Sequence, residues 1–277
     1  TAPWPSFRGD PCQVGFRSGP ISDAPKLLWS FDSKSEILST AAIAGGRVYL
    51  GTSDAGFLCL DLSAGEKSGK EIWRSKNEAK IQSSPAVRDG KVYFGDDAGV
   101  FHGRDAKTGK ESWKFDTRTE DGGGQEIISS ANFSLERVLF GSYDSYLYCL
   151  IASDGKLVWK VQTQGPVHST PSVANGKTFI AGCDEHLRTI DIESGKEVSA
   201  LEMGGYSTAA PAVVGEKLVV GTFNTQVLCV DWKASKVLWR YEHPEKKFPF
   251  YSSAAIGVLR DGALAAVLGG RDKMVHA

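Results

Sequence analysis

The sequence predicts an all-β protein built from repeated four-stranded antiparallel sheets. A segment that ends in a large apolar side chain recurs along the chain, at Trp73, Trp113, Trp159, Val198 and Trp239. Its period of about 40 to 45 residues is the length expected for four short strands and their turns. The β-rich segments are only about 4 to 7 residues long and follow turn-forming pairs. Since no segment shows a sustained period of about 3.6 residues with capping signals, helices are not expected.

This period is typical of one blade of a β-propeller. Six repeat units are visible, and the sixth stops in its third strand at residues 274–277. Residues 26–32, KLLWSFD, match a fourth strand that no other strand precedes. Either this early strand completes the sixth sheet and closes a six-bladed ring, or the chain is a truncated part of a seven- or eight-bladed ring. The abrupt end in a third strand favours the second alternative.

The first strand of each repeat is predicted from a run of small side chains. Ser, Thr, Ala and Pro dominate the stretches at residues 38–42, 82–86, 128–132, 168–172, 207–212 and 251–255. Small side chains are expected where blades converge toward the axis of a propeller. These runs are therefore assigned to the innermost strands.

The second strand follows a tight turn and ends in glycine. Pairs such as Asp89-Gly90 and Asn175-Gly176 precede β-branched or aromatic runs, and these residues accept the positive φ that hairpin turns require. The runs end at Gly51, Gly95, Gly141, Gly182, Gly221 and Gly269. Each repeat is therefore expected to begin with a hairpin.

The third and fourth strands are joined by a second turn, marked by Thr108-Gly109, Asp154-Gly155 and Ser194-Gly195. The fourth strand carries the largest apolar side chain of the repeat. We predict that tryptophans dock between neighbouring blades and bury on the order of 200 Å² each, at Trp29, Trp73, Trp113, Trp159 and Trp239. Because the fourth repeat has Val198 at this position, a weaker contact is expected there.

The stretch DAKTGKESW, residues 105–113, looks like the tail of a phosphate-binding loop. Such a loop needs the pattern G-x-x-x-x-G-K-[ST], in which backbone N–H groups converge on the anion. Glu111 follows Lys110 where Ser or Thr is required, and the glycine that should open the pattern is missing. A hairpin is therefore predicted, with Lys110 facing solvent.

Composition and charge exclude several functional classes. Of 277 residues, 32 are basic and 33 acidic, which is not the positive field that drives binding to nucleic acids. No apolar run approaches the roughly 20 residues that span a bilayer. The five cysteines lack C-x-x-C spacing and are expected to pack as small apolar side chains. His102 and His276 fall at equivalent third-strand positions, and a structural role is predicted for both.

The ending [TSD]-G-K-x-x-W resembles the tryptophan-docking repeat of the pyrroloquinoline-quinone (PQQ) type propellers, over residues 26–277. The opening WPSFRGDP, residues 4–11, is similar to the W-P-x-F-R-G start of secreted or periplasmic PQQ-like repeat proteins of bacteria. We therefore divide the chain into an N-terminal extended segment, residues 1–25, and one propeller domain, residues 26–277. The resemblance implies a location in the periplasm or outside the cell.

The resemblance leaves two functions open. The family contains quinone-dependent alcohol or sugar dehydrogenases, which hold PQQ near the axis with Ca²⁺, an Asp base, a stacking Trp and often a vicinal disulfide. It also contains non-catalytic scaffolds of outer-membrane assembly. This sequence has no Cys-Cys pair and no haem attachment motif. No catalytic, cofactor-binding or metal residue is therefore predicted, and PQQ with calcium belongs to the dehydrogenase alternative.

Residues next to each first strand are expected to line one mouth of the axial channel. Their apolar, amide, imidazole and phenol groups suit a small ligand or a peptide, without a convergent acid–base pair. The predicted ligand or partner face consists of Gln82, His168, Tyr206, Phe250 and Tyr251. The preferred function is a non-catalytic scaffold that binds a protein or a small ligand at this face, outside the cytoplasm.

Overall fold

The structure is a computed structural model that describes residues 3–16, 23–54, 56–63, 69–77, 79–118 and 124–277. The described residues form strands, turns and loops, with no helix among them. Backbone contacts divide the chain into two compact units, Thr1–Gly9 with Arg17–Ala131 (unit 1) and Asp10–Phe16 with Asn132–Ala277 (unit 2). Within the predicted N-terminal segment, residues 1, 2 and 17–22 lie outside the described residues.

Unit 1 contains two four-stranded antiparallel sheets whose strands follow chain order. Each strand pairs with the next, as the turn signals predict. The first sheet consists of β1 (Ala42–Ala44), β2 (Arg47–Gly51), β3 (Phe57–Asp61) and β4 (Glu71–Ser75). The second consists of β5 (Ala86–Arg88), β6 (Lys91–Gly95), β7 (Val100–Asp105) and β8 (Glu111–Asp116).

Unit 2 contains three four-stranded sheets and one three-stranded sheet among the described residues. The third repeat consists of β9 (Asn132–Ser134), β10 (Arg137–Gly141), β11 (Tyr146–Ile151) and β12 (Leu157–Gln162). The fourth consists of β13 (Ser172–Ala174), β14 (Lys177–Ala181), β15 (His186–Asp191) and β16 (Glu197–Glu202). The fifth consists of β17 (Ala212–Val214), β18 (Lys217–Gly221), β19 (Gln226–Asp231) and β20 (Lys236–Glu242). The sixth consists of β21 (Ala255–Val258), β22 (Leu264–Gly269) and β23 (Val275–His276).

The pairing of third with fourth strands shifts register at the same place in five sheets, after Cys59, Gly103, Cys149, Thr189 and Cys229. In four of these sheets the residue before the shift lies directly opposite a tryptophan. A small side chain suits this place because directly opposed residues share one face of the sheet. Burial raises the pKa of the Cys59 thiol to about 11 and that of the Cys149 thiol to about 12. Both thiols are therefore protonated at neutral pH.

The fourth repeat departs from the predicted register. Ser199, not Val198, lies opposite Thr189 at the tryptophan position. Val198 is one residue earlier and is 57% exposed. Since side chains alternate between the two faces of a strand, an error of one residue reverses the face. The expectation that Val198 occupies the docking position is therefore wrong.

A tryptophan lies over the turn glycine of the following repeat at three places, in the pairs Trp29–Gly69, Trp73–Gly109 and Trp159–Gly195. The Trp73 indole N–H also donates to the Ala106 carbonyl at 3.3 Å, and the Trp159 indole donates to the Ile192 carbonyl at 2.9 Å. A Cβ at the second or third of these glycines would lie 2.6 Å from a ring carbon. Only glycine therefore lets the indole approach the turn so closely.

The other two predicted docking tryptophans differ in burial. Trp113 is 9% exposed and lies opposite Gly103, with the Tyr93 ring centroid 5.9 Å from its own. Trp239 is 45% exposed and lies along an apolar groove that Leu264 also lines. Substitutions of these two tryptophans are therefore expected to have unequal effects on stability.

The glycine that ends a second strand meets an apolar side chain of the next repeat. A Cβ at Gly95 would lie 2.1 Å from Ile127, and one at Gly221 would lie 2.7 Å from Phe250. The same approach recurs in the pairs Gly51–Ile81 and Gly141–Val167. The recurring glycine thus makes room for a buried side chain that enters from the following repeat.

The stretch of residues 105–113 forms the hairpin between β7 and β8. The Asp105 carboxylate accepts the N–H groups of Lys107 and Thr108 at 3.1 and 2.7 Å. Gly109 has a φ of 73°, which L side chains rarely adopt. Lys110 is exposed. This geometry closes a turn between two strands, as the incomplete phosphate-loop pattern indicates.

Residues of the N-terminal segment lie along the first strands. In unit 1, Trp4 exchanges two backbone hydrogen bonds with Ile43, at 2.9 and 2.8 Å, and the Pro5 carbonyl accepts the Val87 N–H at 2.6 Å. In unit 2, three more carbonyls accept first-strand N–H groups, in the pairs Pro11–Val173, Cys12–Val213 and Val14–Ile256. Because the first strand is the edge of its sheet, these bonds satisfy donors that the sheet itself leaves unpaired.

Candidate binding face

Two positions of the repeat lie side by side. One is the residue just before the serine in the run of small side chains. The other is the second residue after the end of the second strand. In unit 1 these are Gln82 and Asp97, both half-buried. The Gln82 amide donates to the two carboxylate oxygens of Asp97 at 3.2 and 3.0 Å. Burial, the largest influence, raises the pKa of Asp97. Gln82 is thus already engaged by a neighbour within its own repeat.

In unit 2 the same two positions of successive repeats hold His168 and Tyr143. The Tyr143 hydroxyl and the His168 Nδ1 are 2.5 Å apart, and the ring centroids are 5.6 Å apart. Burial lowers the pKa of His168, because desolvation disfavours the charged imidazolium. His168 is therefore held as a neutral ring that takes part in a hydrogen bond.

The lowered pKa of His168 predicts a pH-dependent contribution to stability. As pH falls below the ordinary histidine pKa of about 6.5, the unfolded chain binds a proton before the folded chain does. We therefore expect the free energy of unfolding to fall between about pH 7 and pH 5, and to fall less steeply in His168→Gln. Urea melts across this range measure both slopes. Equal slopes for the two proteins would show that His168 titrates alike when folded and unfolded.

Three aromatic rings of this face lie together, Tyr206, Phe223 and Tyr251, which we call the aromatic cluster. The Phe223 ring centroid lies 3.9 Å from that of Tyr206 and 4.1 Å from that of Tyr251. The Arg271 guanidinium lies 4.5 Å from the Tyr251 ring centroid. Tyr206 is 41% exposed. Tyr206 and Arg271 are thus the exposed members of this group, whereas Phe223 and Tyr251 are half-buried.

Tyr206 reaches the cluster from a different register than Tyr251. Its carbonyl accepts the Phe223 N–H at 2.9 Å, the role that the Pro166 carbonyl has for the Cys183 N–H in the preceding repeat. It therefore corresponds to Pro166, two residues before His168. Tyr206 therefore does not share the position of His168, because it lies six residues before its first strand, as Pro166 does, whereas His168 lies four residues before its own.

Phe250 does not share the exposure of its neighbour Tyr251. It is 2% exposed, and its ring centroid lies 5.0 Å from that of His276. It is the side chain that packs against Gly221. The prediction of a face that includes Phe250 therefore needs correction, since this side chain is buried against Gly221 and His276.

Sequence reasoning missed Tyr143, Phe223 and Arg271. All three stand two residues after the glycine that ends a second strand. This position lies beside residues that precede the first strand of the same or the following repeat, which is why it meets the predicted residues. The fixed offset from the glycine is a signal present in the sequence, and it identifies the second half of the face.

A carboxylate meets a third-strand side chain in four repeats, in the pairs Asp96–His102, Asp144–Tyr148, Asp184–Arg188 and Asp272–His276. Each carboxylate also accepts a backbone N–H of its own turn. Burial opposes ionisation of Asp184, but hydrogen bonds led by Arg188 outweigh it and the pKa of Asp184 is lowered. These pairs hold the turn between the second and third strands, which accords with the structural role expected for both histidines.

The dehydrogenase alternative implies a quinone and a calcium ion. Among the described residues, no three His, Cys, Asp or Glu side chains are grouped so that they could hold a metal ion. In unit 2 the first-strand N–H groups of Val173, Val213 and Ile256 already donate to the N-terminal segment. These three N–H groups are therefore engaged by the chain itself.

Comparison with known proteins identifies the family to which the chain belongs. A family model described as outer membrane protein assembly factor BamB matches residues 22–141 and residues 131–249. Together the two matches cover the first five repeats. Within the described part of the chain, no helix has the length and hydrophobicity needed to cross a bilayer.

Individual relatives share either sequence or fold. The beta-alanine-activating enzyme of Danio rerio is 39% identical over 101 residues, which is 34% of this chain and 9% of that protein. BamB from Moraxella catarrhalis matches with a TM-score of 0.70 at 16% identity, over 90% of this chain and 78% of that one. The quinohemoprotein alcohol dehydrogenase from Comamonas testosteroni matches with a TM-score of 0.76 at 14% identity, over 95% and 52%. These structures confirm the predicted β-propeller of four-stranded antiparallel blades. The chain spans under a tenth of the first relative and about half of the third.

Proposed function

The chain belongs to the PQQ-like repeat family described by the outer membrane protein assembly factor BamB, and we propose that it is a non-catalytic interaction scaffold. The observation that carries the proposal is the aromatic cluster, where Phe223 touches both Tyr206 and Tyr251. Exposed aromatic groups are enriched at protein interfaces because they bury much area with few rotatable bonds. The family description, an assembly factor, points to protein partners.

The chemistry of the aromatic cluster suggests what it binds. Clustered aromatic rings favour apolar and aromatic side chains, and Arg271 beside Tyr251 favours a carboxylate through charge-assisted hydrogen bonds. Arg271 itself is exposed, so its donors are accessible to a partner. We therefore expect the partner segment to combine an aromatic or large apolar residue with a nearby Asp or Glu. A small ligand with the same two features is the variant of this proposal for a non-protein partner.

The location outside the cytoplasm, in the periplasm or beyond the cell, is part of the same proposal. Its support is the family description, which refers to assembly of outer membrane proteins. A fusion to alkaline phosphatase in a bacterial host tests it, with the complete natural reading frame as the fused chain. Phosphatase activity supports export, whereas an active cytoplasmic reporter such as β-galactosidase in the same position contradicts it.

Replacing Phe223 with alanine is expected to weaken partner binding about tenfold or more, because the centre of the aromatic cluster is lost. Peptides selected from a displayed random library on the wild-type protein serve as the probe, and their Kd is measured by fluorescence anisotropy. Arg271→Gln is expected to weaken selectively those peptides that contain a carboxylate. Peptides that bind Phe223→Ala as tightly as the wild type would place the interaction surface elsewhere.

The matched control is Leu238→Ala. Leu238 is an exposed apolar residue of the same unit, 44% exposed, and it lies on β20. We expect its removal to leave peptide affinity unchanged, so that a general loss of surface hydrophobicity can be told apart from loss of the aromatic cluster. Melting temperatures of both variants verify that the fold is intact.

The second candidate function is that of a quinone-dependent alcohol or sugar dehydrogenase. The structural likeness to the Comamonas testosteroni enzyme favours it, although that likeness shows the fold alone. Spectral titration with PQQ and Ca²⁺, followed by an assay of alcohol-dependent dye reduction, distinguishes the two functions. We expect no saturable quinone binding. Saturable binding together with dye reduction would replace the scaffold proposal.

A further inference from the structure

Two segments of unit 2 lie against each other and reach the aromatic cluster. Residues 243–251 follow β20, and residues 270–274 form the turn between β22 and β23. The Arg271 N–H donates to the Pro249 carbonyl at 3.3 Å, and the Arg271 guanidinium lies 4.5 Å from the Tyr251 ring centroid. The aromatic cluster therefore continues into a surface that both segments form.

This surface is rich in positive charge, although the chain as a whole is not. The chain has 32 lysines and arginines and 33 acidic residues, whereas the two segments together have four lysines and arginines and two acidic residues. Three of the four basic side chains are exposed and form no ion pair among the residues that the structure describes, and we call them the basic patch: Lys246, Arg271 and Lys273. The fourth, Lys247, pairs with Glu242 at 2.9 Å.

The acidic groups of the two segments leave the basic patch largely uncompensated. Asp272 is buried, and its carboxylate lies 2.9 Å from the His276 Nε2. The Lys246 ammonium donates instead to the Met274 Sδ at 3.5 Å. Because a thioether is a weak acceptor, this ammonium keeps most of its capacity to bind a carboxylate. Glu245 is exposed, and it is the one acidic residue at the surface of these two described segments.

Aromatic side chains border the basic patch. Phe248 is 47% exposed and stands two residues after Lys246, and Tyr251 of the aromatic cluster follows in the same segment. Lys and Arg bind carboxylates through charge-assisted hydrogen bonds, and aromatic rings bind apolar and aromatic side chains. The net charge of the chain is −1, which does not supply the positive field that nucleic acids need. The combination therefore favours an acidic protein segment.

We propose that the aromatic cluster and the basic patch form one surface for an acidic segment of a partner protein, which places a large apolar or aromatic residue on the aromatic cluster and at least two carboxylates on the basic patch. The inference rests on the proposed scaffold function and defines its partner more closely. Since ions screen exposed charge pairs, the affinity for such a segment falls as the salt concentration rises. Exposed charges of this kind also accelerate association with a partner of opposite charge.

Peptide selection on two proteins tests the inference. A random displayed peptide library is selected on the wild-type protein and, separately, on the double variant Lys246→Gln/Lys273→Gln. We expect peptides from the wild type to combine an aromatic residue with two or more Asp or Glu residues. Peptides from the double variant are expected to keep the aromatic residue and to contain at least twofold fewer acidic residues. Equally acidic peptides from both selections would overturn the inference.

Affinities of synthetic peptides from the wild-type selection measure the effect of the two lysines. Their Kd, measured by fluorescence anisotropy, is expected to rise at least fivefold in the double variant at low salt, and this difference is expected to fall below twofold in about 0.5 M sodium chloride. The matched control is Lys196→Gln/Lys236→Gln, which removes the same charge from two exposed lysines of unit 2 and is expected to change Kd less than twofold. Equal losses in the two double variants would show that net charge controls binding, and would overturn the inference.

Failure of the inference and failure of the proposed function give different results. Peptides that lose affinity in Phe223→Ala, but bind Lys246→Gln/Lys273→Gln as tightly as the wild type, would overturn the role of the basic patch and leave the scaffold function in place. A selection on the wild type that yields no binding peptide would overturn both. Vesicles of anionic phospholipid and a single-stranded DNA oligonucleotide are the other probes. If either binds the wild type more tightly than the peptides do, and the double variant loses this binding, the acidic protein segment is the wrong partner.

Discussion

Replacing Trp113 with alanine is expected to lower the free energy of unfolding by roughly 3 to 5 kcal/mol. Trp113 is 9% exposed, and its ring lies over Gly103 and beside Tyr93. Removal of the indole leaves a cavity that the backbone at Gly103 cannot fill, because this residue has no side chain to move into it. Guanidinium chloride melts followed by circular dichroism measure the loss.

The control for this variant is Lys110→Ala in the same hairpin. Lys110 is exposed, and surface substitutions away from special features usually change stability by less than about 0.5 kcal/mol. Comparable losses from both substitutions would show that the hairpin as a whole, and not the buried indole, determines stability. A loss from Trp113→Ala alone supports the docking role of this tryptophan.

Replacing Gly195 with alanine is expected to lower the free energy of unfolding by about 2 to 5 kcal/mol, since two penalties combine. The residue has a φ of 71°, which disfavours any L side chain by about 1 to 2 kcal/mol. Its new Cβ would also lie 2.6 Å from the Trp159 ring, and such overpacking typically costs about 1 to 3 kcal/mol. Thermal and denaturant melts measure the sum.

The same repeat supplies a control that isolates the second penalty. Gly176 also has a φ of 71°, but a Cβ there would meet nothing within 4 Å. Gly176→Ala is therefore expected to lose only the backbone share, about 1 to 2 kcal/mol. A Gly195→Ala variant no less stable than Gly176→Ala would mean that Trp159 moves aside freely. A clear difference between them measures how tightly the indole is held on the turn.

The architecture follows from the sequence because local chemistry determines it. Turn pairs such as Asn175-Gly176 define hairpins within a few residues, and repetition supports each assignment by comparison with the others. The boundaries of β6, β10 and β18 at Gly95, Gly141 and Gly221 coincide with the glycines that mark the ends of the predicted second strands.

The errors arise where a marker residue stands at a different distance from its strand in two repeats, or where pairing chooses between neighbouring residues. Val198 is the larger apolar residue, but the register of β15 with β16 places Ser199 at the docking position. The serine that follows Tyr206 predicts the position of His168, while the backbone hydrogen bond to Phe223 places Tyr206 two residues earlier. A hydrophobicity pattern does not predict these registers, because the pairing of strands across the sheet determines them.

Sequence reasoning predicts only part of the binding face. His168 and Tyr251 carry recognisable side chains beside the first strand, whereas Phe223 and Arg271 become neighbours only after the hairpin folds back. Phe250 illustrates the opposite error, because an aromatic residue beside an exposed one can be core. The bonds between the N-terminal segment and the first strands lie beyond sequence reasoning, since no periodicity relates the two.

Those bonds have a consequence for the order of events during synthesis. The segment of residues 10–16 leaves the ribosome long before its binding partners, and the bond from Cys12 to Val173 alone joins residues 161 positions apart. Until the repeats leave the ribosome, the segment has no strand to pair with, and each completed sheet has an unpaired first-strand edge. Such long-range closure slows folding and prolongs the exposure of edges that other chains can join. The time between synthesis of the segment and its pairing with the first strands is therefore the stage at which this protein is most vulnerable to misassembly.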